Sequence, residues 1–249
     1  MSLPGVYKTF AQKWDGQTVW IYSDPHFSDV DLKYGIADRP SDEEQIKNIN
    51  SICGRKDTLI ILGDIGNIEC VRQLRARYKI LIMGNHDSGV TNYERKVEER
   101  IFDRDIYPDK SEVYSIMKKE FPGWNIRVEE NYDFHPPFER WIAYADNKLF
   151  DEVYEGPLII GEKLILSHEP LNLSWMFNIH GHNHMRQKNV HSNCLNVCSD
   201  VVNYKPINLT QKLKQGLMSS VTSIHRKTIN NARIKNDKYI DCYLFNLKK

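Results

Sequence analysis

Residues 58–87 constrain the fold of this chain more than any other stretch. They read Thr58-Leu59-Ile60-Ile61-Leu62-Gly63-Asp64, a polar interval, and then Lys79-Ile80-Leu81-Ile82-Met83-Gly84-Asn85-His86-Asp87. Each half is a short apolar run that ends in glycine and then in residue types suited to metal ligation or acid–base work. A continuous run of about five apolar residues bounded by turn signals reads as a strand buried on both faces of a parallel sheet. The interval, residues 68–78, is long enough for one crossover helix. The stretch therefore predicts a βαβ unit with its chemistry just past the carboxyl ends of both strands, where open α/β sheets place their ligands.

The flanking sequence extends that pattern. Thr18-Val19-Trp20-Ile21-Tyr22-Ser23 is β-branched and aromatic, hence a strand, and it ends in Asp24-Pro25-His26. Residues 27–40 read as a loop. Ser41 is a predicted N-cap with Glu44 at the capping-box position; Ile46, Ile49 and Ile52 recur at helical spacing, and Gly54 closes the helix. Strand, helix, strand, helix, strand argues for a parallel sheet with helices on its faces.

After Asp87 the pattern loosens. Residues 92–121 are strongly charged, with helices predicted near 93–104 and 110–120. Residues 122–155 hold Trp124, Tyr132, Phe134, Phe138, Trp141, Tyr144 and Phe150. This insertion, about 91–155, reads either as a cover that shapes a substrate pocket or as plain surface structure. Regular structure returns as a hairpin, Pro157-Leu158-Ile159-Ile160 and Lys163-Leu164-Ile165-Leu166-Ser167, which ends in His168-Glu169-Pro170. A further strand, Phe177-Asn178-Ile179-His180, ends in Gly181-His182-Asn183-His184, and another follows near 195–199. From Ile207 onward basic helices and a last strand near 239–244 are expected. The domain expectation is one catalytic domain over 1–203 with a C-terminal extension over 204–249 packed on it.

Composition excludes several classes. No apolar run approaches the roughly 20 residues of a membrane helix. Met1-Ser2-Leu3-Pro4-Gly5 lacks the basic start and apolar segment of an export signal. The five cysteines, Cys53, Cys70, Cys194, Cys198 and Cys242, contain no CxxC pair, which predicts reduced thiols and a cytoplasmic setting. Cys194 and Cys198 read either as buried structural thiols in a strand or as a metal pair. Net charge is +1, yet the stretch from Tyr204 to the end holds ten Lys/Arg and two Asp/Glu, a local +8. A tail of this kind meets nucleic acid or a phosphorylated partner, or forms a solvated face.

Five strand ends thus carry Asp24 and His26, Asp64, Asn85 and His86, His168, and His182 with His184. Residues two apart on a strand point the same way. Asp24 with His26, and His182 with His184, can each aim two ligands at one place where extended geometry persists. Carboxylate and imidazole ligands suit borderline divalent metals such as manganese, iron, nickel or zinc. Without thiolate, the set does not describe a structural zinc site. Seven ligands drawn from this set are too many for one ion and suit two when a carboxylate bridges.

These blocks, Asp24-Pro25-His26, Gly63-Asp64, Gly84-Asn85-His86-Asp87, His168 and Gly181-His182-Asn183-His184, resemble the five-block signature of the calcineurin-like metallophosphoesterases. They occur in the family's order over about two-thirds of the chain. The runs Leu166-Ser167-His168-Glu169-Pro170 and Asn196-Val197-Cys198-Ser199-Asp200 are similar to small bacterial and phage members. The resemblance implies an α/β fold, a four-layer αββα sandwich. It implies that Asp24, His26 and His184 hold one metal, that Asn85, His168 and His182 hold a second, and that Asp64 bridges them. Manganese is the first expectation. A metal-bridging hydroxide would be the nucleophile, His86 the general acid and Asp87 its orienting carboxylate. Asn67 is assigned a supporting place around the site.

The family's protein Ser/Thr phosphatases follow Gly-Asp with a nearby Asp-Arg-Gly; here Gly63-Asp64 leads to Ile65-Gly66-Asn67. The resemblance therefore points to a phosphodiesterase acting on a nucleotide or nucleic-acid ester. The alternatives are a phosphomonoesterase and a non-catalytic nucleic-acid-binding module on the same fold. Oligomeric state is not readable.

Overall fold

The computed structural model describes residues 3–226, apart from 15, 37, 90–92, 94–95, 135–136, 148 and 185–190. The central strands explain why their sequences are apolar without alternation. In β1 (Val19–Tyr22), β2 (Thr58–Ile61) and β3 (Tyr78–Ile82), successive residues enter two different cores. Val19, Ile21, Ile60, Leu62, Ile80 and Ile82 face one core; Tyr22, Leu59, Ile61 and Leu81 face the other. A strand with an apolar layer on each side has no polar position to offer.

These three strands are parallel, with Ile21 opposite Ile60 and Ile60 opposite Ile80. Their carboxyl ends therefore stop at one level. On the β3 side the sheet continues into β7 (Glu152–Tyr154), which is parallel; on the β1 side β12 (Ile207–Asn208) pairs antiparallel. A second sheet has the order β11-β10-β9-β8, from β8 (Leu158–Gly161), β9 (Leu164–Leu166), β10 (Phe177–His180) and β11 (Cys194–Asn196). Its Ile160, Leu164, Leu166, Phe177, Ile179 and adjoining Val197 fill the core shared with the first sheet.

Helices cover the outer face of the first sheet and add to the intersheet core. α1 (Lys8–Lys13) leads to Trp14, which is fully buried at the end of the intersheet core, and α5 (Leu209–Lys214) adds Leu209 and Leu213 there. α2 (Val30–Gly35) is a short helix within the expected 27–40 loop. α3 (Asp42–Ile52) covers the outer face of the first sheet with Ile46 and Ile49. Ser41 caps it, accepting from the amide of Glu44 at 3.3 Å, and three acidic residues lie in its first turn. The cap satisfies an orphan amide and the carboxylates oppose the positive end of the helix dipole. On the outside of the second sheet, Ile165, Asn178 and Cys194 form a buried row. Loop segments cover it: Asn178 accepts from the Leu171 amide at 2.8 Å, and Asn193 donates to the carbonyls of Leu173 and Met176. The molecule is thus an α/β sandwich of two face-to-face sheets.

Three local expectations change. The 68–78 crossover contains a six-residue 3₁₀ helix, Ile68–Gln73, followed by an extended segment that buries Leu74 and Ala76. So short a connection cannot accommodate a full amphipathic helix and still return to β3. The helix expected over 93–104 is not formed where the residues are described: β4 (Lys96–Asp103) is a strand that pairs antiparallel along its whole length with β6 (Pro137–Asn147). Val97, Ile101 and Phe102 find strand partners there, and that pairing overrides a charge-rich composition. The 239–244 strand and half of the basic extension, residues 227–249, lie outside the described residues.

The insertion is a small unit of its own. β4, β6 and β5 (Asn125–Phe134) form a three-stranded sheet, and α4 (Lys110–Glu120), as expected, lies against it. Val113 and Met117 of the helix pack with Val128, Trp141, Ala143 and Ala145, and Trp124 packs at the margin. Phe150 belongs instead to the sandwich core, and Tyr144 carries the Arg127 guanidinium at 4.8 Å. These aromatics do not converge on one pocket; the side chains of Tyr132, Phe134 and Phe138 lie outside the description. Among the described residues, no helix is long and apolar enough to cross a membrane.

Ile60 is fully buried between the sheets. Ile60→Ala should lower the unfolding free energy by about 2–5 kcal/mol, the range for large-to-small changes in a packed core. Urea unfolding followed by circular dichroism reads this; a loss below about 1 kcal/mol would mean the sheets are not packed at this position.

Candidate metal centre

All five strand ends meet at one edge of the sandwich. Asp24 and His26 follow β1, Asp64 follows β2, Asn85 and His86 follow β3, His168 follows β9, and His182 and His184 follow β10. Asp24, His26, Asp64 and His168 are buried, His182 and His184 half-buried, and Asn85 and His86 exposed. The cluster therefore has a buried floor and an open mouth.

Its backbone is not extended. Asp24, His26, Asp64 and His182 all have positive φ, between 40° and 62°. Each such residue is strained by roughly 1–3 kcal/mol unless its surroundings fix it. Here they do. The Asp24 amide donates to Gly63 O at 3.1 Å, the His26 amide to Asp64 O at 2.9 Å, and the His182 amide to Asp24 Oδ2 at 2.9 Å. The paired ligands converge through left-handed turns, and not through the continued strand that the sequence suggested. Two glycines permit the close approach. A Cβ on Gly84 would collide with the Asp64 carboxylate and lie 2.8 Å from His168 Nδ1; one on Gly181 would overlap Ser23 and Asp24.

The donor atoms form two groups that share one residue. Asp64 Oδ2 lies 3.3 Å from His26 Nε2 and 3.3 Å from His168 Nε2. On one side, Asp24 Oδ1 is 4.0 Å from His26 Nε2 and 3.8 Å from His184 Nε2. On the other, Asn85 Oδ1 is 2.8 Å from His168 Nε2 and 3.1 Å from His182 Nδ1, and those two nitrogens are 3.1 Å apart. Atoms of Asp24, His26 and Asp64, and of Asp64, His168 and His182, lie close enough to hold a cation.

Three histidines have their far nitrogen fixed. His26 Nδ1 donates to Asp29 at 3.1 Å, His168 Nδ1 to the Leu62 carbonyl at 2.8 Å, and His184 Nδ1 to Asp200 at 3.1 Å. A proton held on Nδ1 leaves the Nε2 lone pair aimed into the cluster, as ligating imidazoles require. Asp24 Oδ1 is buried and has no hydrogen-bond partner. A buried carboxylate oxygen left bare beside two imidazole nitrogens calls for a cation. The residues present therefore fit divalent metal.

Electrostatics agree. Burial alone would raise the Asp64 carboxyl, but hydrogen bonds from His168 and His26 outweigh it and hold the group far below the ordinary carboxylate range. Burial alone would lower His168; its hydrogen bond to Asp64 and the charges on Asp24 and Asp64 outweigh that and lift it to about 9.

Two assigned residues do something other than expected. Asp87 uses both oxygens on the loops: it accepts from the amides of Gly84 at 2.8 Å, Asp64 at 2.9 Å and Ile65 at 3.0 Å, and from the Tyr93 hydroxyl at 3.1 Å. It ties the turn after β2 to the turn after β3; it makes no hydrogen bond to the His86 ring. Asn67 caps the 3₁₀ helix through the Glu69 amide and donates to Ser28, away from the donor atoms.

Several site residues carried no assignment. Asp29 stands three residues after His26, a spacing at which the two meet. Asp200 was in view only as part of a run. Arg39 has no sequence signal; it donates to the carbonyls of Pro25 and His26 and secures that strained turn. The two cysteines part company. Cys194 bonds with the backbone of His191, whereas Cys198 lies 3.3 Å from His184 Nδ1, among donor atoms of Asp24 and His184.

Because His168 is protonated below about 9 in the metal-free protein, a cation must displace that proton. Metal affinity should rise with pH through neutrality and level off near 9, with proton release at pH 7. Calorimetry in buffers of different ionisation enthalpy measures the release; zero protons released would contradict the charge assignment. Asp87→Asn should destabilise the metal-free protein by about 1–3 kcal/mol, since buried amides lose an anionic acceptor. Urea unfolding measures this, and unchanged stability would remove Asp87 as the tie between the two turns.

Comparison with known proteins follows the same outline. A family model described as calcineurin-like phosphoesterase matches residues 17–196, a span that contains every strand-end residue described above. No curated protein matches. Among solved structures, the chain matches the crystal structure of the protein of unknown function AQ665 from Aquifex aeolicus at 19% identity and a TM-score of 0.47, covering 80% of this chain and 98% of that one. The matched span and the cluster of carboxylate and imidazole donors it encloses place the chain in the calcineurin-like phosphoesterase family of metal-dependent phosphoester hydrolases.

Proposed function

We propose that this chain hydrolyses phosphodiesters, on a nucleotide or nucleic-acid ester, with two divalent cations. The observation that carries the two-cation reading is the double use of Asp64, whose Oδ2 is equidistant, at 3.3 Å, from His26 Nε2 and His168 Nε2. A carboxylate so situated could serve two cations at once. Asp24, His26 and His184 would then hold one cation, and Asn85, His168 and His182 the other. The donor set favours manganese, with iron, nickel and zinc as alternatives. Cations held there supply Lewis acidity to the phosphoryl oxygens and a water acidic enough to attack at neutral pH.

The chain's own groups do the rest. The His86 amide donates to Asp64 Oδ1 at 2.9 Å, so the residue is anchored to the bridge. Its exposed ring lies 5.4 Å from the His26 ring, at the mouth of the cluster. From there the imidazole can give a proton to the leaving oxygen, and in its charged form it balances the negative charge that gathers on phosphorus. Asp87 positions His86 through the backbone turn. Supporting the diester preference, Gly63-Asp64 is followed by Ile65-Gly66-Asn67 and not by a nearby Asp-Arg-Gly, and Arg39, the guanidinium beside His26, gives its Nη2 to backbone carbonyls.

Manganese-loaded protein should turn over bis-p-nitrophenyl phosphate faster than p-nitrophenyl phosphate; turnover of the monoester alone would sink the diester reading. His86→Ala should lower kcat by about 10²–10⁴ while elemental analysis finds the metal content unchanged. Unaltered turnover would remove His86 from the mechanism.

A further inference from the structure

Beside Asn85 and His168 lies a cavity of ≈ 250 Å³. Its position is fixed by the two sheets. One wall follows β3 and β7, which run parallel with Ile82 opposite Tyr154; the Met83 amide donates to the Tyr154 carbonyl at 2.8 Å, and Glu155 comes next. The other wall follows β9, where Glu169 directly succeeds His168 and Ser167 Oγ donates to the Glu169 carbonyl at 2.6 Å. Met83 and Leu171 supply apolar surface. The acidic residues that line this space are Glu155 and Glu169, both exposed at its rim; no Lys or Arg is among its described lining residues.

A phosphodiester bound with its phosphorus at the cluster must place an organic group in the adjoining space. A group with a further phosphate would bring a second anion against two carboxylates. A neutral or cationic group with hydrogen-bond donors on a carbon body meets them favourably. Resting on the phosphodiester reading above, we propose that this cavity holds the organic half of the substrate and selects a hydroxyl- or ammonium-bearing alcohol over one that carries another phosphate. Glu155 and Glu169 are its specificity residues. Small diesters of a nucleoside or an amino alcohol then fit, and the interior of a polynucleotide does not.

The test uses the metal-loaded full chain and three p-nitrophenyl diesters: of phosphorylcholine, of thymidine 5′-phosphate, and of thymidine 5′-phosphate with a 3′-phosphate. The expected result is a kcat/KM about tenfold or more higher for the first two than for the third. In the Glu155→Gln, Glu169→Gln double variant the ratio should shrink toward one. Because the readout is a ratio between substrates on one protein, partial damage to folding does not imitate it. Equal rates on all three, or a ratio unchanged in the double variant, would overturn the proposal while leaving the phosphodiester activity intact. Failure to turn over any of them would instead overturn the phosphodiester reading. The cavity is then read by calorimetry with phosphocholine against 3-phosphoglycerate: tighter phosphocholine binding, lost in the double variant, supports it, and equal or weaker binding overturns it.

Discussion

The carbonyl of Leu62 joins the two halves of this molecule. It accepts from Ser23 Oγ at 2.6 Å, within the first sheet, and from His168 Nδ1, which belongs to the second. Asp24 repeats the connection from the other side, accepting from the His182 amide and giving its own carbonyl to Ser199 Oγ at 2.7 Å. The sandwich core brings the sheets face to face by a force without direction. These few hydrogen bonds set the register of their edges. Since they involve the same side chains that aim at the cluster, assembling the sheets and assembling the donor atoms are one event.

That arrangement also explains why strained backbone is tolerated. Left-handed residues with side chains as large as aspartate and histidine are uncommon, yet four of them gather here. Each is clamped by an amide or carbonyl from a neighbouring strand end, and Arg39 and Asp87 add clamps from outside. The free energy that holds these turns comes from the buried strands behind them. A site built in this way is rigid before any ligand arrives, which favours catalysis over adaptable binding.

Much of this was legible in the sequence because it is written in two strong signals. Short apolar runs marked β1, β2, β3, β9 and β10, those of β2, β3 and β10 stopping at glycine, and the residue types that followed marked the edge where they meet. What was hidden depended on partners far away in the chain. β4 carries the charge pattern of a surface helix, and only pairing with β6 makes it a strand. The left-handed turns at Asp24 and His182 answer to Gly63 and to each other, so no local rule reveals them. Asp87 looked like a partner for its neighbour because adjacency in sequence suggested it; its carboxylate instead meets amides from two loops. Asp29, by contrast, stood at a helical spacing from His26 and could have been found.

The insertion has a core of Val113, Met117, Val128, Trp141, Ala143 and Ala145 that is separate from both cores of the sandwich. A chain built this way divides its liabilities. Changes among those six residues are absorbed where they occur, and the strand ends that carry the donor atoms do not feel them. The unit from β4 to β6 can therefore differ in size and surface while the strand ends beside it keep their chemistry. Novelty around this centre can come by exchanging a module, with no need to redraw the scaffold.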